Sequence, residues 1–287
     1  MMSGFRRAEW RVIALAVAAG PALRFRPPMR AGWRHDYDEG RVGPPGLRLL
    51  GGGRPTFHPG QPYLGALESY LIAPLFALFG PGAVTLKLVP WLLAGAYIAL
   101  TGWLGARVFG RRAAALSGLL ASLAPAYLLI TGMKTWGATA ETLALGSLML
   151  VLTTYITDDT GSPRERARAL IALGLVAGVA FWVSWLIAFY ALPIAIVLLM
   201  DGRPPLRRRG WAAGLAFLAG SLPFWLYNMR HDWATVRYLL SDRGDTWGNA
   251  WAILDHMTYD LAPRLVSGDP AWQVLSWPAT WWLQLVY

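Results

Sequence analysis

The chain has 287 residues, of which 55% are hydrophobic, 15% are charged and 16 are Trp, which is more apolar surface than one soluble core needs and excludes an ordinary water-soluble domain. Its formal net charge of +10 comes almost wholly from Arg, and with no RNA- or DNA-binding motif beside it the excess points to membrane orientation and phosphate contacts rather than to nucleic acid. Cysteine is absent, which excludes a disulfide scaffold and a thiolate metal site.

In chain order, residues 12–23 form the first apolar segment, preceded by Arg6, Arg7 and Arg11 and ending near Ala18-Ala19-Gly20. It reads either as a signal-peptide core or as a short span with snorkelling arginines. The next segment, 61–79, is apolar except for Glu68 and rich in Tyr and Phe, and it either crosses the bilayer or lies at its surface. Uncharged runs at 88–106, 113–133, 142–157, 210–229 and 271–287 each approach the length needed to cross about 30 Å of hydrocarbon. Residues 169–200 exceed one helix and read as two short helices joined by a turn at Ser184-Trp185. Pro90, Pro125, Pro193 and Pro223 inside these runs argue for a packed bundle, where neighbouring helices satisfy the freed backbone groups. The expected fold is all-α, a polytopic transmembrane bundle of about eight spans.

The positive-inside bias orients it. Arg107, Arg111 and Arg112, then Arg164, Arg166 and Arg168, then Arg203 and Arg207 to Arg209, mark cytoplasmic connections, whereas Lys134 alone occupies the intervening one. With Arg6 and Arg7 also cytoplasmic, only one of 12–23 and 61–79 crosses. If the first crosses, the acidic run Asp36 to Glu39 is outside; if the second does, that run is in the cytosol, an alternative favoured on charge alone by the arginines between Arg24 and Arg54.

That run, Arg34-His35-Asp36-Tyr37-Asp38-Glu39-Gly40, is the leading candidate site, because carboxylates near bilayer depth are costly and usually face a cavity, a counter-charge or a substrate. Its plain reading is a solvated loop start paired with Arg34 and Arg41. His35, Asp36, Asp38, Glu39 and His58 contain metal-ligand atoms but follow no metal spacing, so no metal or other cofactor is expected. Gly51-Gly52-Gly53 lacks the flanking strand and helix of a phosphate loop and reads as a turn. The tryptophans read as interfacial belts.

The ordered series Asp38-Glu39, then Gly60-Gln61-Pro62-Tyr63-Leu64-Gly65-Ala66-Leu67-Glu68-Ser69-Tyr70, then Ala73-Pro74-Leu75-Phe76-Ala77-Leu78-Phe79-Gly80-Pro81, resembles the start of the GT-C glycosyltransferases of the protein O-mannosyltransferase and aminoarabinose-transferase type. Gly105-Ala106-Arg107-Val108-Phe109-Gly110-Arg111-Arg112, Leu123-Ala124-Pro125 and Glu141-Thr142-Leu143-Ala144-Leu145-Gly146 continue it, and Pro223-Phe224-Trp225-Leu226-Tyr227-Asn228 extends it more weakly. The resemblance implies one transmembrane domain over 1–287, with 26–87 a first extracytoplasmic loop bearing the acidic motif and an interfacial helix, and 229–270 a second large one. It implies a multi-pass enzyme of the plasma (inner) membrane that moves a sugar, with inversion, from a polyprenyl-phosphate donor to an acceptor hydroxyl.

Carried over residue by residue, the resemblance makes Asp38 the base and Glu39 the residue that orients the acceptor or the loop; the role of Asp36 is not settled by it. An Asp near its ordinary pKa of about 3.9 is a weak base for a ground-state hydroxyl, so proton transfer must come late. The leaving phosphate calls for cations. The candidate substrate-binding set is Arg34, Asp36, Arg41, Glu68 and Lys134, with Arg30, Arg54 and Arg230 as further cations, and the plain reading of each cation is a lipid-headgroup or solvent contact. Two other classes stay open. A lipid-linked-anion transporter or flippase would use Glu68 or Glu141 within the membrane, although no inverted repeat accompanies them, and a noncatalytic membrane subunit would use none of these groups. The last run reaches Tyr287 without the Arg cluster that follows other inward spans, and members of the resembled family are longer, so a truncated reading frame is expected, with a naturally short protein as the rival.

Overall fold

The structure is a computed structural model that describes residues 39–123, 134–201 and 204–241. Segment 12–23, Arg34, Asp36, Asp38 and the run 271–287 lie outside the described residues. Ten α-helices and one two-stranded hairpin are described. Helix α1 spans Glu39–Leu50, strands β1 and β2 span Phe57–His58 and Gln61–Gly65, and α2 spans Leu67–Phe79. Then follow α3 (Ala83–Phe109), α4 (Arg111–Ser122), α5 (Thr139–Thr157), α6 (Pro163–Val183), α7 (Ala188–Asp201), α8 (Pro204–Gly220), α9 (Leu222–Arg230) and α10 (Ala234–Ser241). Among the described residues, α3, α5 and α6 are long and apolar enough to cross a membrane.

The segment 61–79 is not one helix. Pro62 and Gly65 begin it as β2, which pairs antiparallel with β1 through a turn whose Gly60 has φ 75°. Helix α2 therefore has 13 residues, about 20 Å at 1.5 Å per residue, short of the hydrocarbon thickness. The hairpin is a β element that the all-α reading did not contain. It seats on the end of α6: the Trp182 indole N–H donates to the Thr56 carbonyl at 3.0 Å, and a Cβ on Gly65 would press into the Trp182 backbone. Phe57, Trp182, Val183 and Phe224 close the core beneath it.

Local chemistry sets the other boundaries. Ser162 and Glu165 form a reciprocal capping box at the start of α6, with Pro163 in the first turn. The break read at Ser184-Trp185 is present: the Ser184 hydroxyl accepts from the Leu186 N–H at 3.3 Å and starts a short 3-10 turn, Trp185–Ile187, before α7. The run 210–229 is also broken, at Ser221, where Pro223 restarts the chain as α9. Helices α6 and α8 approach until a Cβ on Gly174 or Gly178 would meet the carbonyl oxygens of Ala213 or Phe217, the close contact that small residues permit between membrane helices. The three glycines at 51–53 close α1: the amides of Gly51 and Gly53 donate to the Arg48 carbonyl at 3.1 and 2.9 Å.

The direction of the long helices follows from their end contacts. Near its C-terminus α3 offers Arg107, whose guanidinium donates to the Thr154 hydroxyl at 2.9 Å and to Asp158 at 2.8 Å, just past the C-terminus of α5. Helices α3 and α5 thus run parallel, with their N-terminal ends together at the other end of the bundle.

Candidate functional site

Those N-terminal ends carry a buried polar cluster. Glu39 opens α1, Glu68 lies in the first turn of α2 and Glu141 in the first turn of α5, positions where the unpaired amides of a helix start favour a carboxylate. All three are at most 1% exposed, which for Glu requires compensation.

The compensation differs for each. Lys87, near the start of α3 and 4% exposed, donates its Nζ to Glu39 Oε1 at 2.5 Å. The same oxygen lies 3.4 Å from the Thr135 amide and 3.3 Å from its hydroxyl. Glu68 Oε2 accepts from the Gly137 amide at 2.7 Å, and Glu141 Oε2 accepts from the Ala138 amide at 3.0 Å. Burial, and after it the neighbouring Glu141, hold the Glu68 carboxyl well above the usual range. Among the described residues, the Oε1 atoms of Glu68 and Glu141 and the Thr142 hydroxyl have no hydrogen-bond partner.

His58 completes the cluster from β1. It is 2% exposed, both ring nitrogens lack a partner among the described residues, and its ring lies where a Cβ on Gly137 would fall. Burial pushes its pKa down to about 4, so the imidazole is neutral at pH 7. Among the described residues, no group of three or more His, Asp or Glu is arranged to hold a metal ion.

Of the residues proposed from the sequence, Glu39 and Glu68 meet in this cluster, and Lys134 stands beside it with its ammonium 4.5 Å from the centre of the Trp136 ring. Arg41 is half-buried on α1. Arg54 and Arg230 are exposed. Asp38, Asp36 and Arg34 lie outside the described residues. Lys87 and Thr135 belong to the cluster without being proposed from the sequence, whereas Glu141 reads there only as the carboxylate of a transporter alternative and His58 only as a metal-ligand type without metal spacing. Lys87 had one signal: a lone cation immediately before the uncharged run 88–106, where it reads as the boundary of a span rather than as a buried partner. Asn228 supports the site from further away, accepting from the Thr235 amide at 3.1 Å while the Thr235 hydroxyl donates to the Pro62 carbonyl at 2.6 Å, which ties α9, α10 and the hairpin together.

Parallel apolar helices with a desolvated cluster of charges at one end define a polytopic membrane protein with an end-on polar site. The chain belongs to the dolichyl-phosphate-mannose-protein mannosyltransferase family, whose sequence profile matches residues 62–227, more than half of its length. It is similar to the crystal structure of ArnT from Cupriavidus metallidurans bound to undecaprenyl phosphate, with TM-score 0.59 and 21% identity over 88% of this chain and 45% of that one. Similarity to the apo form of the same ArnT has TM-score 0.61 and 21% identity over 81% and 44%. These likenesses show a shared membrane fold, of which this chain spans less than half the length. No curated protein sequence matches it.

Proposed function

We propose that the chain is a membrane glycosyltransferase that transfers a sugar, with inversion, from a polyprenyl-phosphate donor to an acceptor hydroxyl at the extracytoplasmic face of the plasma (inner) membrane, without a metal. The observation that carries this reading is the buried Glu39–Lys87–Thr135 constellation with Lys134 beside it, at the bundle end opposite Arg107 and Asp158, in a chain of this family. The undecaprenyl phosphate in the related ArnT supports a lipid phosphate as the leaving group.

Glu39 is held by Lys87 and is therefore poorly suited to accept a proton from a nucleophile, whereas Asp38 is its immediate neighbour in sequence. In the proposed step the acceptor oxygen attacks the anomeric carbon, the bond from that carbon to the phosphate oxygen breaks, and the phosphate leaves with the electron pair. The acceptor proton passes to the Asp38 carboxylate as the nucleophile acidifies. Lys134, Arg34 and Arg41 stabilise the phosphate dianion, and Asp36 is a further substrate-binding candidate. Sidedness follows the charge bias, with the Arg107 end cytoplasmic.

The test is release of polyprenyl phosphate from a polyprenyl-phosphate sugar by the purified chain. Asp38→Asn is expected to lower turnover by about 10² to 10⁴ with thermal stability unchanged. Retention of more than about a tenth of wild-type turnover, with chemistry rate-limiting, removes Asp38 as base. Single cysteines at Gly40 and Gly110 in this cysteine-free chain check sidedness in intact cells: an impermeant thiol reagent should label the first and spare the second.

A further inference from the structure

Residues 134–138 form the link that leads into α5, and all three buried carboxylates reach it: Glu39 at Thr135, Glu68 at Gly137 and Glu141 at Ala138. The last two bonds go to consecutive backbone amides from two different helices. The chain is strained there. Gly137 has φ 61°, and Ala138 has φ 148°, a conformation that a residue with a Cβ rarely adopts and that persists only where the surroundings over-determine it. The surroundings are these two carboxyl groups and the His58 ring packed on Gly137. At the other end of the same five residues Lys134 stands over Trp136, so the link that is clamped at its end is the one that carries the cation.

We infer that Glu68 and Glu141 are positioning residues, whose carboxyl oxygens lock the strained turn at 137–138 and thereby set where Lys134 presents its ammonium to a lipid phosphate. The inference rests on the reading of Lys134 as a phosphate ligand given above. Neither glutamate need touch substrate, which reassigns Glu68 from substrate binding to support. Accepting an N–H bond requires an oxygen lone pair, not a negative charge. Burial favours the neutral form of Glu68, and a neutral acid still accepts through its carbonyl oxygen. Gln should therefore replace Glu at either position, whereas Ala, or an Asp one methylene too short, should not.

The test uses the full chain in nanodiscs of phosphatidylethanolamine and phosphatidylglycerol, with undecaprenyl phosphate as probe. Hydrogen exchange of the amides in 134–141 is expected to stay near wild type in Glu68→Gln and Glu141→Gln and to speed up by about tenfold in Glu68→Ala. Where the Ala variant does not fold, Glu68→Asp keeps a carboxyl group but draws its oxygens back by one methylene from the Gly137 amide, and should exchange as fast. Probe affinity should fall by about tenfold in Lys134→Ala and in Glu68→Ala, and the double variant should be no weaker than the weaker single one, because both remove the same contact. Gln variants that exchange as fast as Ala, or affinity losses that add, overturn the inference. A wild-type chain that does not bind the probe overturns the phosphate reading itself, a failure that the exchange measurement separates from failure of the lock.

Discussion

The two ends of the α3–α5 pair each carry an ion pair between distant residues, Lys87 with Glu39 and Arg107 with Asp158. Their surroundings make them different objects. The side chains of Lys87 and Glu39 are 6% and 2% exposed, whereas those of Arg107 and Asp158 are 22% and 27% exposed. Removing one member of a buried pair strands a charge without water, while removing one member of a solvated pair lets water take its place. The first end is thus committed to one arrangement, and the second is tolerant. The proposed transfer, which must hold a phosphate and a hydroxyl in register, would gain from the first property.

The largest expected effect is at the committed end. Lys87→Met takes the ammonium away from the buried Glu39 carboxylate and should cost about 3–5 kcal/mol of stability in detergent, together with loss of donor turnover. Adding Glu39→Gln to Lys87→Met should restore much of the thermal stability, since the buried carboxylate charge is removed with the ammonium, without restoring turnover. If Lys87→Met alone unfolds no earlier than wild type, the pair is not desolvated in the membrane and the contrast between the two ends collapses.

Much of this was legible in the sequence, and the part that was not has a physical reason. Uncharged runs of span length marked α3 and α5, and the break at Ser184-Trp185 inside the longer run 169–200 marked the end of α6, because hydropathy and helix-breaking chemistry are local signals. The hairpin at 57–65 escaped the helical reading because its partners on α6 are more than a hundred residues away in sequence. The cluster escaped for the same reason. Glu39 and Lys87 are 48 residues apart, Glu39 and Thr135 are 96 apart, and no spacing rule links them. Glu39 and Glu68 stood out in the sequence as separate candidates, but Lys87 looked like a span boundary until the parallel packing of α3 and α5 brought the helix starts together.

A smaller effect is expected at His58, on the margin of the committed end. Its pKa falls from the usual 6.5 to about 4 on folding, so between those values the unfolded chain binds the proton and the folded chain does not. Its contribution to stability is therefore complete above pH 6.5 and is lost progressively as pH falls toward 4, by about 3 kcal/mol in all. Thermal unfolding of the wild type should show this acid loss between pH 7 and 4, and His58→Leu should remove that component. A wild type whose melting temperature is flat over this window, or a variant with the same acid sensitivity, would mean that the imidazole reaches water.

The smallest effect is expected at the tolerant end. Arg107 makes more contacts than an ordinary surface arginine, since its guanidinium bonds to Thr154 and Asp158 and lies 3.8 Å from the centre of the Tyr155 ring. Contact number alone would therefore predict a cost rivalling that of Lys87. Exposure argues otherwise, because water and salt screen a pair of which a quarter is accessible and rehydrate Asp158 once the guanidinium is gone. Arg107→Gln should cost no more than about 1 kcal/mol, less at high salt, and should leave donor affinity unchanged. Measuring the melting temperature of this variant at low and high ionic strength beside that of Lys87→Met decides between contact number and desolvation. A loss at Arg107 as large as that at Lys87, and insensitive to salt, would show that this end too is sealed from water and that burial does not distinguish the site.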